Sequence, residues 1–123
     1  MAFRRILHQL VRSTHGALGA LFVDYEGETV EVVTERPLDA DDHDLRVIGA
    51  YQGIFLTRLR EVADKLPIGH PKSFKIEFER TVILSCDVMD GYYLVLVVDH
   101  EAVEGVAWHR LMECRQSLID EMS

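Results

Sequence analysis

Basic residues are the scarce class in this chain of 123 residues. Thirteen lysines and arginines face 21 aspartates and glutamates, for a formal net charge of −8. That balance argues against a nucleic-acid groove, which needs cations clustered along the phosphates. It argues equally against an anionic membrane surface, and it suits solubility and a partner with a basic patch. Cysteine is nearly absent too. Cys86 and Cys114 are the only two and form no CxxC spacing, so neither a zinc site nor a dithiol redox motif is expected. Cys86 alternates with Val82 and Leu84, and Cys114 falls among apolar positions of the last helix. Both read as small buried hydrophobes in a reducing compartment. No apolar run approaches the roughly 20 residues that span a bilayer. Residues 1–13 lack a long apolar region and a small-residue cleavage site, so no secretion signal is expected and the predicted location is cytoplasmic. There is no GxxxxGK[ST] loop and no HExxH. His8, His15, His43, His70, His100 and His109 are scattered, and Cys86 reads as an inward strand position, not as the nucleophile of a Cys–His pair. The sequence therefore predicts no cofactor, no metal and no enzyme.

What is present fits one domain over residues 1–123. Phe3, Ile6, Leu7, Leu10 and Val11 occupy one face of a first helix. Arg4, Arg5 and Arg12 lie off that face as a small basic patch, read as solvated. Residues 16–33 (GALGALFVDYEGETVEVV) read as a strand, an acidic turn and a second strand ending before Pro37. Leu45, Ile48, Phe55, Leu59, Val62 and Leu66 predict a long middle helix that stops ahead of Pro67. Phe74, Ile76 and Phe78 alternate with Lys75, Glu77 and Glu79 as a third strand. A fourth strand is expected over Thr81–Cys86. A turn at Met89, Asp90 and Gly91 leads to a fifth, residues 92–98 (YYLVLVV), apolar on both faces as befits a strand covered on both sides. A last helix is expected from Asp99 to Met122, with Val103, Ala107, Leu111, Cys114 and Leu118 inward.

The acidic run Asp39, Asp41, Asp42, His43 and Asp44 is explained by capping of the middle helix. Its spacing matches no calcium loop. Gly49 and Gly53 inside that helix each cost roughly 1 kcal/mol relative to alanine. Close approach of another backbone would account for them, either the chain's own strands or a second copy. The apolar arc of the helix is wider than one sheet face requires, since it also includes Tyr51, Ile54, Leu56 and Ala63. The surplus predicts a contact across a symmetric dimer. Lys75, Glu77 and Glu79 on the third strand fit either pairing with a second copy or charged protection of an edge. Arg46, Arg58 and Arg60 raise the question of an arginine finger. Solvated arginines balancing Glu61 and Asp64 are the simpler reading. Gln52, the one polar residue of the regular stripe, leaves open a ligand pocket between sheet and helix.

The helix, strand and turn order resembles the roadblock/dynein light chain family. Gly16-Ala17 through Gly27, the small-residue-rich middle helix, residues 90–97 (DGYYLVLV) with Asp99 behind them, and Gly105 carry the resemblance. It implies a fold of the α+β class: a five-stranded antiparallel sheet, the middle helix on one face and the two terminal helices on the other. It also implies a homodimer built through the middle helix and the third strand. Its functional implication is a non-catalytic scaffold or activating regulator of a Ras-like small GTPase. Ile48, Gly49, Gln52, Gly53, Leu56, Lys75 and Glu77 are then the candidate dimer contacts. Arg46, Tyr51, Ile54 and Arg58 are the candidate partner contacts. A small ligand-sensing or adaptor module is the alternative.

Overall fold

The computed structural model describes residues 2–34 and 42–123. Helix α1 (Phe3–Ser13) feeds the hairpin β1 (Ala17–Val23) and β2 (Thr29–Thr34). Helix α2 (Asp42–Ala63) follows, then β3 (Ser73–Glu77), β4 (Thr81–Asp87), β5 (Tyr93–Asp99) and α3 (Glu104–Met122). The five strands form one antiparallel sheet in the order β2-β1-β5-β4-β3. β3 and β2 are its edges. β5 lies at the centre and is buried from Tyr93 to Val98, which explains why its sequence shows no polar side.

Alternation along the strands sends side chains into two cores. On one face Phe22, Leu84, Leu94 and Leu96 pack with Leu7, Leu10 and Val11 of α1 and Ala107, Leu111 and Leu118 of α3. On the other, Leu21, Val23, Ile83, Tyr93, Val95 and Val97 pack with Leu45 and Leu56 of α2. Cys86 and Cys114 belong to the first core, both buried and unpaired. α2 lies chiefly over β2, β1 and β5.

The turn before β5 has a defined geometry. Tyr92 N donates to Met89 O at 2.9 Å, and the two central residues, Asp90 and Gly91, have φ of 53° and 83°. Two successive left-handed residues make a type I′ turn, whose twist matches that of the strands. Asp90-Gly91 is among the sequences that tolerate it. At the β1–β2 hairpin, Asp24 Oδ1 accepts the amides of Glu26 and Glu28 at 2.9 and 3.0 Å, an Asx arrangement that shapes the acidic turn.

Three expectations need correction. α3 starts at Glu104 instead of Asp99. Asp99 serves a preceding turn, in which its side chain accepts the Glu101 amide at 2.9 Å and its carbonyl accepts the Ala102 amide at 3.2 Å. Val103 is therefore exposed and off the inward stripe. Phe78 lies beyond the end of β3 and is exposed. The inward line of α2 is Leu45, Gly49, Gln52, Leu56 and Ala63, whereas Phe55, Leu59, Val62 and Leu66 of the expected stripe are exposed. The boundary at Pro37 and the capping reading of Asp39 and Asp41 lie outside the described residues.

Candidate functional site

α2 presents three different surfaces. The inward one is closed. Gly49 faces Leu21 and Val23 of β1, and Gly53 faces the ring of Tyr93. The Tyr93 hydroxyl donates to the Gly49 carbonyl at 2.8 Å. Gln52 is 3% exposed, and its Oε1 accepts from the Ser85 hydroxyl of β4 at 3.1 Å. The two glycines are thus explained by the chain's own strands. Gly49, Gln52 and Leu56, named above as candidate dimer contacts, are used up in intramolecular packing and have almost no surface to give a second copy. Gln52 is a satisfied buried amide, so the hint of a ligand pocket that it carried is removed.

The second surface is the flank nearest β3. Tyr51, Phe55, Leu59 and Val62 are 59%, 51%, 45% and 52% exposed. They follow the i, i+4, i+8, i+11 spacing of one helix stripe. Ile48, half-buried, joins Phe78, Ile83 and Val97 around an apolar recess of 530 Å³ between α2 and the end of β3. Phe74 and Ile76 of β3 are half-buried. Phe74 pairs with Ser85 and Ile76 with Ile83, both on the α2 face. No described element covers this strip. Lys75 and Glu77 point to the opposite face, where Lys75 Nζ bridges Glu77 at 2.9 Å and Glu104 of α3 at 2.7 Å. As side chains they belong to the α3 side of the edge, away from the apolar strip.

The third surface is a cleft of 340 Å³ at the end of the sheet where the β1–β2 and β4–β5 turns meet α2. Val23 pairs with Tyr93 in the β1–β5 register, which brings the two turns side by side. Gly91 and Tyr25 touch there so closely that a Cβ on Gly91 would lie 2.7 Å from that of Tyr25. An aromatic chain, Phe3–Phe22–Tyr92–Tyr25, with centroid separations of 5.0, 5.5 and 6.3 Å, supports Tyr25 from the first core. Ile54 and Arg58, two of the candidate partner contacts, line this cleft together with Arg60, Glu61, Thr57 and Glu26. Arg46 and Tyr51 are exposed elsewhere on α2. Arg60, Tyr25 and Tyr93 were missed as a group, because only the strand register unites residues so far apart in sequence.

Among the described residues no three His, Cys, Asp or Glu side chains are placed to hold a metal ion, and no helix is long and apolar enough to cross a membrane. Burial pushes the Cys86 and Cys114 thiols up to about 12 from 9.0, with the Arg115 charge opposing at Cys86. Burial, helped by the Asp24 charge, raises the Tyr93 phenol from 10.0 to about 12, against the Gly53 amide and Arg60. The unfolded chain would release these protons at 9.0 and 10.0 but the folded chain only near 12. In that window the unfolded state holds fewer protons, so stability falls as pH rises. A urea midpoint that declines steadily across it is the expected result, and a flat midpoint would contradict the burial of all three groups.

The backbone is similar to a Roadblock/LC7 domain from Streptomyces avermitilis, with a TM-score of 0.84 at 14% identity, over 96% of this chain and 95% of that one. It is similar to MglB of Myxococcus xanthus, with a TM-score of 0.85 at 12% identity, over 98% and 86%. A structure of MglB with a tetrameric arrangement gives 0.82 at 20% identity, over 94% and 84%. At such identities the likeness establishes the fold. No family profile and no curated protein matches the sequence.

Proposed function

We propose that this chain, whose fold is the roadblock fold, is a non-catalytic homodimeric scaffold or regulator of a Ras-like small GTPase. The observation that carries the proposal is the uncovered strip made by Tyr51, Phe55, Leu59 and Val62 of α2 beside the edge strand β3. Apolar residues aligned on one helix flank, next to unpaired strand groups, mark an association surface. A second copy suits it because a two-fold axis lets one strip cover its equal. Self-assembly also occurs on this fold, as in the tetrameric arrangement of MglB. The GTPase and the non-catalytic role come from the family resemblance.

Light scattering is expected to give twice the monomer mass. Pull-down against GTPases of the same organism, loaded with either nucleotide, is expected to enrich at least one of them over a control bait. Enrichment of none in either state would overturn the GTPase reading while leaving the dimer to be judged on its mass.

A further inference from the structure

The cleft between α2 and the two turns contains an accounting of charge that the fold does not close. Four ionisable side chains other than tyrosine line it: Glu26, Arg58, Arg60 and Glu61. Glu61 pairs with Arg58 at 3.7 Å. Glu26 stands beside the Tyr25 phenol and raises its pKa. Arg60, half-buried, has no hydrogen-bond or ion-pair partner among the described residues. Its place in the last turn of α2 lets it face the negative end of the helix dipole, yet none of its five N–H donors meets a partner among the described residues. A half-buried guanidinium with a free donor fork is matched in geometry by a carboxylate, which accepts two parallel N–H bonds. Around it, Tyr25, Tyr93 and Ile54 supply apolar walls. The volume of 340 Å³ exceeds what one carboxylate needs and leaves room for the side chain that bears it.

We infer that this cleft captures an acidic side chain, aspartate or glutamate, from a segment of a partner protein, with Arg60 as the residue that receives the carboxylate. The inference rests on reading the chain as a docking module. It needs neither the dimer nor a GTPase, and it places partner recognition on the α2 flank away from the apolar strip. Glu61 pairs with Arg58 and adds a negative charge to the lining, which opposes an acidic guest.

The full chain, isotope-labelled, is titrated with N-acetyl-glutamate amide, N-acetyl-glutamine amide and inorganic phosphate, and the Gly27, Gly53 and Gly91 amides and the Arg60 side chain are followed by NMR. The glutamate probe is expected to shift these signals saturably, and the glutamine probe is not. Arg60→Gln is expected to weaken the glutamate probe about tenfold, the loss of a charge-assisted bidentate pair. Glu61→Gln is expected to tighten it severalfold. An equal response to glutamine, or an Arg60→Gln chain that binds as before, would overturn the inference. Phosphate binding more tightly than glutamate at the same signals would assign the cleft to phosphate and overturn it as well. Should Arg60→Gln disturb the fold, Arg60→Lys decides instead: it keeps the charge and loses the two-pronged fork, so weaker glutamate binding supports the role of Arg60 and unchanged binding refutes it. Failed GTPase capture leaves this titration intact, and a failed titration leaves the light-scattering result intact.

Discussion

Alanine at Gly53 is expected to cost stability, against the usual sign for a glycine inside a helix. In isolation the change would gain roughly 1 kcal/mol. Here the added Cβ would collide with the Tyr93 hydroxyl and lie 2.8 and 3.1 Å from its ring atoms Cζ and Cε1. The ring cannot retreat, because Tyr93 is 3% exposed at the centre of the sheet and is tied to the Gly49 carbonyl. Overpacking of this kind costs about 1–3 kcal/mol and more when neighbours are fixed. The expected net loss is about 2 kcal/mol for Gly53→Ala, and more for Gly53→Leu. Gly49 offers the contrast. Its Cβ would meet only the terminal methyls of Leu21 and Val23, at 3.2 and 3.4 Å, which can yield. Gly49→Ala is therefore expected to lie within about 1 kcal/mol of the parent. Tyr93→Phe removes the atom nearest Gly53 and is expected to recover part of the Gly53→Ala loss, so the two changes couple. Chemical denaturation of the four chains measures this. Gly53→Ala as stable as the parent, or strict additivity with Tyr93→Phe, would refute the contact.

The same contact shows where sequence reasoning reached and where it stopped. Short-range signals were sufficient for the sheet. Asp90-Gly91 specified a turn that the structure shows as type I′, and the unbroken apolar run of residues 92–98 placed a strand at the centre. The first hairpin was legible for the same reason. α2 was legible as a helix but not in its orientation. Its apolar residues cover too wide an arc for periodicity to choose an inward direction. Leu45 and Leu56 face the sheet while Phe55 and Leu59, equally apolar, face away. Glycine decided between them. Gly49 and Gly53 mark the side where the sheet comes closest, yet a helix glycine announces proximity without saying to what. The cleft was illegible because Tyr25, Arg60 and Tyr93 meet through strand register, which has no local signature. Gln52 shows the reverse case: a polar residue in an apolar stripe had an internal partner, Ser85, supplied by a strand 33 residues on.

Aspartate at Phe55 is expected to convert the protein to monomer while leaving the fold intact. Phe55 is 51% exposed on the outer flank of α2, so the isolated chain loses little by the change, within about 0.5 kcal/mol for a surface site. In the proposed dimer the same side chain, with Leu59 and Val62, would be covered by a second copy. A large apolar anchor at such a centre is worth about 2 kcal/mol or more when truncated, and a two-fold interface contains each anchor twice. The combined penalty of about 4 kcal/mol weakens self-association roughly a thousandfold. An unpaired carboxylate forced into an apolar contact adds to it. Leu59→Asp should act the same way from the next turn of the stripe, whereas Arg46→Asp, on another side of α2, should leave the dimer unchanged. Gly53→Leu is unsuited to this purpose, because its collision with Tyr93 would lower the stability of the chain itself and confound any effect on an interface. Sedimentation equilibrium at matched concentrations, with far-UV circular dichroism as the control for folding, separates the outcomes. A monomeric parent, or folded Phe55→Asp and Leu59→Asp chains that remain dimeric, would remove the α2 flank from the proposed interface.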